Sequence, residues 1–429
     1  MSATIHQLRP TAAIAGYIRV GHNGHKWLDE QLAADRLPFR RFVFEAAHIR
    51  EQKHLLDALR KAGCEIVLDP NFAELGSEGK FGSSAASLPW AHPDRPWEPG
   101  DFGRGRNFDI ATQIAEFAVE QQVHAILSPS HVEAANDEWR VVDLNLASAL
   151  RGALDRSGGR HIAIDYQLIT RITTLRDDGF LERAVADLGG VEFDNLWLRV
   201  SSFGAHATGE GTRRFIEGVG SFHDLGRPIV SDMTGGLAAL AAASFGAIGG
   251  VSHGIALRED FRDSEYLRKK RGGGGGGGAR IYIAELDRYL TAEQLSSVLA
   301  ARGARTRLVC RDTSCCPNGR DDMVEQAKRH FTLQRAKQLE DLSRVPEARR
   351  AEHYLLNHLA PAVRTSRLAA NYKIDDHKVT EVLAKESQRL VRMQDALSAL
   401  YESGSLDARS RAPSFRGSQG TLAVLIGQI

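Results

Sequence analysis

The chain has 429 residues, which suits one large α/β domain with additions or two to three domains of ordinary size. Hydrophobic residues make up 42% of it and charged residues 25%, and no apolar run approaches the ~18–20 residues of a membrane span. This composition excludes collagen-like, coiled-coil, wholly disordered and membrane-spanning chains. Residues 1–10 lack a secretory leader, and four cysteines are too few for a disulfide scaffold, so we expect a cytoplasmic protein.

The charge is divided unevenly along the chain. Residues 1–260 contain 26 Lys and Arg against 34 Asp and Glu, a balance of −8, whereas residues 261–429 contain 29 against 20, a balance of +9. A basic second half favours contact with a polyanion such as nucleic acid. The alternative explanation for this charge difference is that the basic residues lie on helical surfaces that bind no ligand.

Short apolar runs alternate with helical patterns through the first two thirds of the chain. Each run has four to six residues and is bounded by Gly, Pro, Asp or Ser, as is typical of strands buried on both faces of a parallel sheet. The predicted strands are Arg41–Glu45, Glu65–Asp69, Val123–Leu127, His161–Asp165, Asn195–Val200, Pro228–Asp232, Ala247–Val251 and Arg280–Ala284.

Eight such strands joined by helical crossovers predict a (β/α)8 TIM barrel, an α/β fold. An open, doubly wound sheet is the alternative. The earlier run Ala12–Val20 is interpreted as an additional strand or hairpin that covers the bottom of the barrel.

Two insertions interrupt this alternation. Residues 70–107 follow the second predicted strand and are rich in Pro, Gly, Ser and Trp, so we expect a loop over the barrel mouth. Seven consecutive glycines, 272–278, lack the Lys-Ser/Thr of a phosphate-binding loop and are interpreted as a flexible linker.

The predicted domain organisation has four parts. The barrel occupies 1–305, a zinc-binding-like subdomain 306–345, a helical extension 346–403 and a flexible tail 404–429. Within the tail, the apolar stretch Thr421–Ile429 is a candidate terminal strand.

Three predicted strands end in an aspartate. Active sites of TIM barrels lie at the carboxyl ends of the strands, so Asp69, Asp165 and Asp232, assigned to strands two, four and six, could meet at one mouth. Such carboxylates can serve as general acid/base and nucleophile, or can hold a divalent cation. Capping of the next helix is the alternative explanation for each of them.

Glycines near the late strands indicate a substrate-binding surface. Backbone N–H groups there commonly bind phosphate in this fold, although tight packing of helix on strand also favours glycine. The candidate substrate-binding residues, including two arginines of the long loop, are Gly235, Gly236, Gly249, Gly250, His253, Arg104 and Arg106.

A cysteine cluster follows the predicted barrel. Cys310, Cys315 and Cys316 lie within seven residues, and His330 is on the next predicted helix. Thiolates and an imidazole satisfy tetrahedral Zn²⁺, which predicts a structural zinc site. Redox-active thiols and simple packing are the alternatives, and His353 or His358 could replace His330 as the fourth ligand.

The predicted barrel strands, followed by the Cys/His cluster, extend roughly from Arg41 to His358. In this arrangement the chain resembles the tRNA-guanine transglycosylase superfamily. The resemblance implies a TIM barrel with a Cys3His zinc subdomain, and exchange of a purine base in nucleic acid through a glycosyl-enzyme intermediate. Asp69, in IVLDPN, matches the position of the general acid/base aspartate. The chain departs from the family in its cysteine spacing and in residues 245–254, which contain no aspartate for the nucleophile. Either Asp232 or Asp165 takes the role of nucleophile, or the chemistry differs from that of the family, or there is none.

Two other functions remain open from the sequence. One is a TIM-barrel enzyme acting on a small phosphorylated metabolite, and the other is a non-catalytic barrel that binds nucleic acid. The expected partners are RNA or DNA and a purine-like base, with no membrane partner, and a homodimer is one of the assemblies left open.

Overall fold

The structure of the protein is a computed structural model. It describes residues 13–132, 138–256, 258–268, 280–404 and 409–418. The predicted glycine linker 272–278 and the candidate terminal strand 421–429 lie outside these residues.

Eight parallel strands close into a barrel in which each strand pairs with its neighbours in sequence and β1 pairs with β8. The predicted TIM-barrel fold is therefore confirmed. The strands are β1 Ala15–Arg19, β2 Arg41–Glu45, β3 Glu65–Asp69, β4 Ala125–Leu127, β5 Ala163–Arg171, β6 Asn195–Ser201, β7 Ile229–Asp232 and β8 Gly250–His253.

The predicted count of eight is right, and seven of the predicted strands, beginning with Arg41–Glu45, correspond to β2 to β8; the predicted last strand is wrong. The run 12–20, interpreted as a cover for the bottom, contains β1 of the barrel, and the predicted eighth strand at 280–284 lies outside it. The latter is β9, Arg280–Ile283, which pairs in antiparallel fashion with β10, Arg288–Thr291. A short apolar strand of the barrel and one of the antiparallel hairpin have the same sequence pattern. Periodicity does not reveal which neighbour a strand pairs with.

Helices connect the strands and continue beyond the barrel. No helix in the described residues is long and apolar enough to cross a bilayer. The helices of the barrel region are α1 His25–Ala33, α2 Ala46–Ile49, α3 Lys53–Lys61, α4 Phe72–Leu75, α5 Ser83–Ala86, α6 Arg104–Glu120, α7 Glu138–Arg156, α8 Asp178–Gly189, α9 Gly209–Gly220, α10 Gly236–Ser244 and α11 Ser264–Leu267. Those that follow are α12 Ala292–Ala300, α13 Ala304–Leu308, α14 Arg320–Glu325, α15 Ala327–Arg344, α16 Arg350–Tyr354, a π-helix Leu355–Leu359, α17 Ala360–Ala369 and α18 His377–Ser403.

Large side chains fill the barrel, so the interior is a core and not a channel. Tyr17 and Trp197 are fully buried, and their rings meet edge to face with centroids 4.8 Å apart. Val43, Val67 and Val230 pack around them in the same interior cluster. In barrels filled in this way, binding sites lie at the carboxyl ends of the strands.

The segments after the barrel form a second, smaller hydrophobic core. It contains the β9–β10 hairpin, α12, the three clustered cysteines and the first turns of α18. The predicted boundary at residue 305 therefore falls inside this core. Later turns of α18, including Leu390 and Leu397, pack in the main core, so this helix ties the two cores together.

The described part of the predicted flexible tail, 409–418, instead packs against the amino ends of the strands. Arg416 contacts Asp165 through both of its terminal nitrogens, at 3.0 and 2.8 Å. Arg41 donates a hydrogen bond to the carbonyl of Pro413, and its guanidinium lies over the ring of Phe415. This segment closes the end of the barrel opposite the mouth.

Candidate active site at the barrel mouth

A cavity of about 380 Å³ opens at the carboxyl ends of the strands. Its walls come from the ends of β2, β3 and β7, from the first part of the 70–107 loop and from the segment after β8. The polar and aromatic lining residues are Glu45, His48, Asn71, Glu74, Lys80, Ser84, Arg258, Asp260, Phe261, Arg262, Glu265 and Tyr266. A volume of this size fits a small polar molecule.

Three of the lining residues, Asn71, Met233 and Arg258, adopt left-handed backbone conformations, and two of them follow barrel strands directly. Asn71 follows β3 with φ +62°, and Met233 follows β7 with φ +53°. Methionine rarely adopts this conformation, and strain of this kind is concentrated at functional sites. Both turns come directly after strands that end in an aspartate.

Those two aspartates, Asp69 and Asp232, share a buried cluster with two arginines. Arg19, at the end of β1, contacts Asp232 at 2.7 Å through two nitrogens and Asp69 at 2.8 Å. Arg199, in β6, contacts Asp232 at 2.9 Å and Asp69 at 3.0 Å. Gln167 donates a further hydrogen bond to Asp232. Two positive and two negative charges therefore balance beneath the cavity.

The arginines keep both aspartates ionised. Burial alone would raise the pKa of Asp232, but the charges of Arg19 and Arg199 outweigh burial and lower it to about 2. The same two guanidiniums lower the pKa of Asp69 against the effect of burial. An ionised carboxylate with a low pKa, whose oxygens already accept hydrogen bonds, does not readily take up a proton, and Asp232 is completely buried.

Glu74 has the opposite electrostatic environment. Its carboxylate accepts a hydrogen bond from the Tyr266 hydroxyl at 3.2 Å and contacts the Asn71 amide at 3.4 Å. Burial and the negative charge of Asp69 raise the pKa of Glu74, although Arg199 acts against them. Glu74 is half-buried and faces the cavity, so a substrate can reach it.

The other lining carboxylates are paired with cations. Glu45 pairs with Arg258, Glu265 with Lys80 at 3.0 Å, and Asp260 with Arg262 at 2.8 Å. Among the described residues, no such ion pair within 4.0 Å is found for Glu74. A pKa raised by burial and by a neighbouring charge, in a cleft, is typical of a general acid/base.

Asp165 was wrongly assigned to a strand end. It is the third residue of the nine-residue β5 and is registered against Asn195, the first residue of β6. It accepts hydrogen bonds from the Asn195 amide at 2.9 Å and the Trp197 indole at 3.0 Å, and it pairs with Arg416. Asp69 and Asp232 thus converge at the mouth, on β3 and β7, while Asp165 lies at the amino end of the barrel.

Carboxylates of the chain itself surround the glycines after β7. The N–H of Leu237, in the first turn of α10, donates to Asp287 at 2.9 Å. A Cβ on Gly235 would meet the carboxylate of Glu259, and one on Gly236 would meet Asp287. The chain's own carboxylates therefore occupy the position predicted for an anionic ligand.

The remaining late-barrel candidates also pack internally. Gly249 and Gly250 lie at the amino end of β8, where a Cβ on Gly249 would collide with the carbonyl of Arg411. His253 ends β8 but is buried edge to face against Phe39 and Phe331. These positions support the packing explanation.

The long loop divides into two parts. Residues 74–85 reach the mouth cavity, whereas Trp90 and Trp97 are buried, with indole N–H groups donating to Pro70 and Trp90 carbonyls. Arg104 and Arg106 lie in the first turn of α6, outside the residues lining the mouth, and Arg106 stacks over Trp97. The tryptophans are therefore packed in the loop and are not available to stack on a base.

The predicted cysteine cluster forms a compact, buried group. Cys315 and Cys316 Sγ atoms lie 3.6 Å apart, and His330 Nδ1 lies 3.4 and 3.3 Å from them. Cys310 completes the set, with all four ligand atoms within 4.8 Å of one another. His330 Nε2 contacts the Tyr282 carbonyl at 2.9 Å, so Nε2 carries the proton and the Nδ1 lone pair faces the sulfurs. The geometry can hold a metal ion.

Three residues of the site, Arg19, Arg199 and Glu74, were not among the residues predicted from the sequence. Arg19 and Arg199 interrupt otherwise apolar strand patterns, in AGYIR and NLWLRV, and a charge there was a usable signal. Glu74 carries no local signal, because its position in the cavity depends on the fold of the loop.

No protein-family model and no curated protein matches the chain. Among solved structures, it is similar to the tryptophan synthase α subunit of Campylobacter jejuni, at 12% identity over 59% of this chain and 91% of that one, with a TM-score of 0.31. A mandelate racemase/muconate lactonizing enzyme-like protein of Rubrobacter xylanophilus matches at 16% identity over 58% and 54%, with a TM-score of 0.32. A GH10 xylanase from Bispora sp. MEY-1 matches at 10% over 56% and 83%, with a TM-score of 0.38. Similarities this distant support no inference about function. Of the features that the resemblance to the tRNA-guanine transglycosylase superfamily implies, only the TIM barrel is supported, and the strand order itself establishes it.

Proposed function

We propose that the protein is a TIM-barrel enzyme that performs proton transfer on a small polar molecule in the mouth cavity, with Glu74 as the general acid/base. The observation that carries this proposal is the environment of Glu74, a cavity-facing carboxyl with a raised pKa and no ion-pair partner among the described residues. A pKa nearer to neutrality allows one carboxyl both to accept and to return a proton.

The surrounding residues give Glu74 a defined geometry. Tyr266 and Asn71 orient the carboxyl group from either side, and the Arg19–Asp69–Arg199–Asp232 cluster forms a rigid floor below it. In the reaction, the ionised carboxylate takes a proton from a substrate carbon or oxygen and becomes neutral. It then delivers the proton to another substrate position or to water.

The test is a thermal-shift screen of phosphorylated metabolites, their unphosphorylated counterparts and purine bases. Ligands that stabilise the wild type are retested against Ala47→Trp, which fills the cavity, and are then assayed for turnover with wild type and Glu74→Gln. We expect stabilisation to be lost in Ala47→Trp, and turnover to fall ~100-fold or more in Glu74→Gln with binding retained.

Glu265→Gln is the matched control, since Glu265 lines the same cavity but pairs with Lys80. It should retain most of the turnover. If Glu74→Gln turns over the substrate at the wild-type rate, the assignment of Glu74 is wrong.

Base exchange on nucleic acid is the second candidate, favoured by the Cys3His cluster and by the convergence of Asp69 and Asp232. It requires Arg19 and Arg199 to release Asp232, because a nucleophile needs a free oxygen to reach the anomeric carbon. Incubation with RNA or DNA and a labelled purine base tests it. Incorporation that is lost in Asp232→Asn would support this reaction, whereas turnover of a free metabolite would support the first.

For the cysteine cluster we propose structural zinc. Tetrahedral coordination at Zn–S ≈ 2.3 Å and Zn–N ≈ 2.0 Å requires S···S separations of about 3.8 Å and S···N separations of about 3.5 Å. The observed separations of 3.6, 3.4 and 3.3 Å are close to these values. Cys310, Cys315, Cys316 and His330 would hold the ion, which would crosslink the segment before α14 to α15.

A further inference from the structure

A second group of metal-type ligands lies far along the chain from the cysteine cluster. Asp341 is in the last turns of α15, His353 is in α16, and His358 is in the π-helix 355–359. The ligand atoms of the three side chains lie within 4.8 Å of one another. The two histidines, considered above as substitutes for His330, therefore belong to a different cluster.

The π-helix explains how the two histidines meet. In an α-helix, residues five apart point about 140° away from each other, because each residue advances the helix by ~100°. A π-turn, which closes its hydrogen bond from i to i+5, accommodates an additional residue and brings positions 353 and 358 to one side. Such turns are rare and occur frequently at functional sites.

Both imidazoles converge on the same carboxylate oxygen. His353 Nε2 lies 2.7 Å and His358 Nε2 2.8 Å from Asp341 Oδ2. An ion bound at ~2.0–2.1 Å from each ligand atom requires the ligand atoms to lie about 3.3 Å apart. Each Nε2–Oδ2 separation would therefore have to increase by about half an ångström to admit the ion. Side-chain rotation can supply this movement, since the Asp341 side chain is half exposed.

A residue outside the ligand set contacts the opposite nitrogen of one ring. The Asn357 side-chain amide lies 3.1 Å from His353 Nδ1. The amide nitrogen faces Nδ1 and donates to it, so in the absence of an ion Nε2 carries the proton that Asp341 accepts. An ion on Nε2 would displace that proton, and a half-turn of the Asn357 amide would then place its oxygen as the acceptor of an Nδ1 proton. Metal-bound histidines usually have such an acceptor on their second nitrogen.

We propose that Asp341, His353 and His358 bind a divalent transition ion of the Zn²⁺ type, with its remaining coordination position open to water. Two imidazoles and one carboxylate form a ligand set that such ions prefer. The ion would join the end of α15 to the π-helix and so fix the helical extension relative to the barrel. The site is accessible to ions, because the His353 and Asp341 side chains are 25% and 49% exposed.

Zinc content tests the proposal directly. The full-length protein is equilibrated with free Zn²⁺, dialysed, and analysed by mass spectrometry of the metal. We expect Asp341→Asn and the double variant His353→Asn/His358→Asn each to hold one zinc fewer per chain than wild type. Asn357→Ala should keep the site but bind Zn²⁺ roughly tenfold more weakly in a titration.

Controls separate this site from other ligands. His54→Asn is the first control, because His54 is a surface histidine that pairs with Asp29 without a second histidine. His48→Asn is the second control, because it disrupts a separate group of possible metal ligands, His22, His48 and Glu51, near the barrel mouth. Neither should remove the zinc assigned to Asp341. Unchanged stoichiometry in both Asp341→Asn and the double histidine variant, with native circular dichroism, would overturn the proposal and leave a hydrogen-bonded triad.

Discussion

Two carboxylic acids at the barrel mouth show how their surroundings decide what a side chain can do. Asp232 accepts hydrogen bonds from Arg19, Arg199 and Gln167, and its pKa is lowered to about 2. Glu74 contacts only neutral donors in the described structure and has a raised pKa. Asp232 is therefore suited to stabilising the buried charge cluster below the cavity, whereas Glu74 is suited to exchanging protons.

Asp232→Asn should destabilise the protein by about 3 kcal/mol, because it leaves two buried guanidiniums with one carboxylate between them. Urea unfolding at pH 7 measures this loss. Glu381→Gln, a carboxylate-to-amide change in an exposed pair with Lys385, is the control and should leave the unfolding free energy almost unchanged. Equal stability of the two variants would show that the cluster is not energetically important.

Glu74→Gln should stabilise the fold at pH 7. A carboxyl with a folded pKa above its ordinary value of 4.5 binds its proton more tightly when folded, so its contribution to stability falls as pH rises above that value. Glutamine resembles the neutral acid and avoids this loss. The melting temperature of the variant should therefore exceed that of wild type at pH 7 and converge with it near pH 4. A gap that is independent of pH would contradict the raised pKa.

At the scale of the secondary-structure elements, buried charges join the β9–β10 hairpin to the barrel. Asp287, between β9 and β10, accepts from the Leu237 N–H of α10 and from the Tyr282 hydroxyl, and pairs with Arg389 of α18. Glu259, after β8, pairs with Arg335 of α15 at 2.7 and 3.0 Å. These contacts place the second core beside the late strands.

Asp287→Ala should cost roughly 3–5 kcal/mol of unfolding free energy, because it leaves a helix N–H, a hydroxyl and a guanidinium without their common acceptor. Asp177→Ala is a matched control, since Asp177 caps α8 through the Phe180 N–H alone and should cost about 1 kcal/mol. Chemical denaturation compares the two variants. Similar losses would mean that Asp287 is an ordinary helix cap.

At the scale of the whole molecule, two hydrophobic cores have different means of stabilisation. The barrel core is large and extends from β1 to α18, whereas the second core is small and includes three cysteines. Small cores commonly depend on a metal or another crosslink. The cysteine cluster is therefore expected to control the folding of the second core and not that of the barrel.

The double variant Cys315→Ser/Cys316→Ser should lose one zinc per chain. Because a structural metal couples binding to folding, amides of β9, β10 and α12 should lose protection from hydrogen exchange while β2 and β3 keep theirs. Cys64→Ser, which changes the cysteine outside the cluster, should retain the metal. Wild-type protein without zinc, with Cys310, Cys315 and Cys316 freely titratable, would contradict the prediction.

The sequence by itself determined those features that depend on local pattern. Apolar runs bounded by turn residues predict the barrel, and the spacing of Cys310, Cys315 and Cys316 before a helix carrying His330 predicts a cluster that the structure brings together. Both signals lie in short segments, where residue type and spacing directly reflect burial or ligand chemistry.

Only the tertiary structure decided how distant segments meet. It placed Ala15–Arg19 in the barrel in place of Arg280–Ile283, moved Asp165 to the amino end, and filled the predicted phosphate position with Asp287. It also set Glu74 above the cluster that holds Asp69. The physical reason is that register, strand closure and the pKa of a carboxyl depend on neighbours that are 50 to 251 residues away in sequence. Local periodicity contains no information about such neighbours.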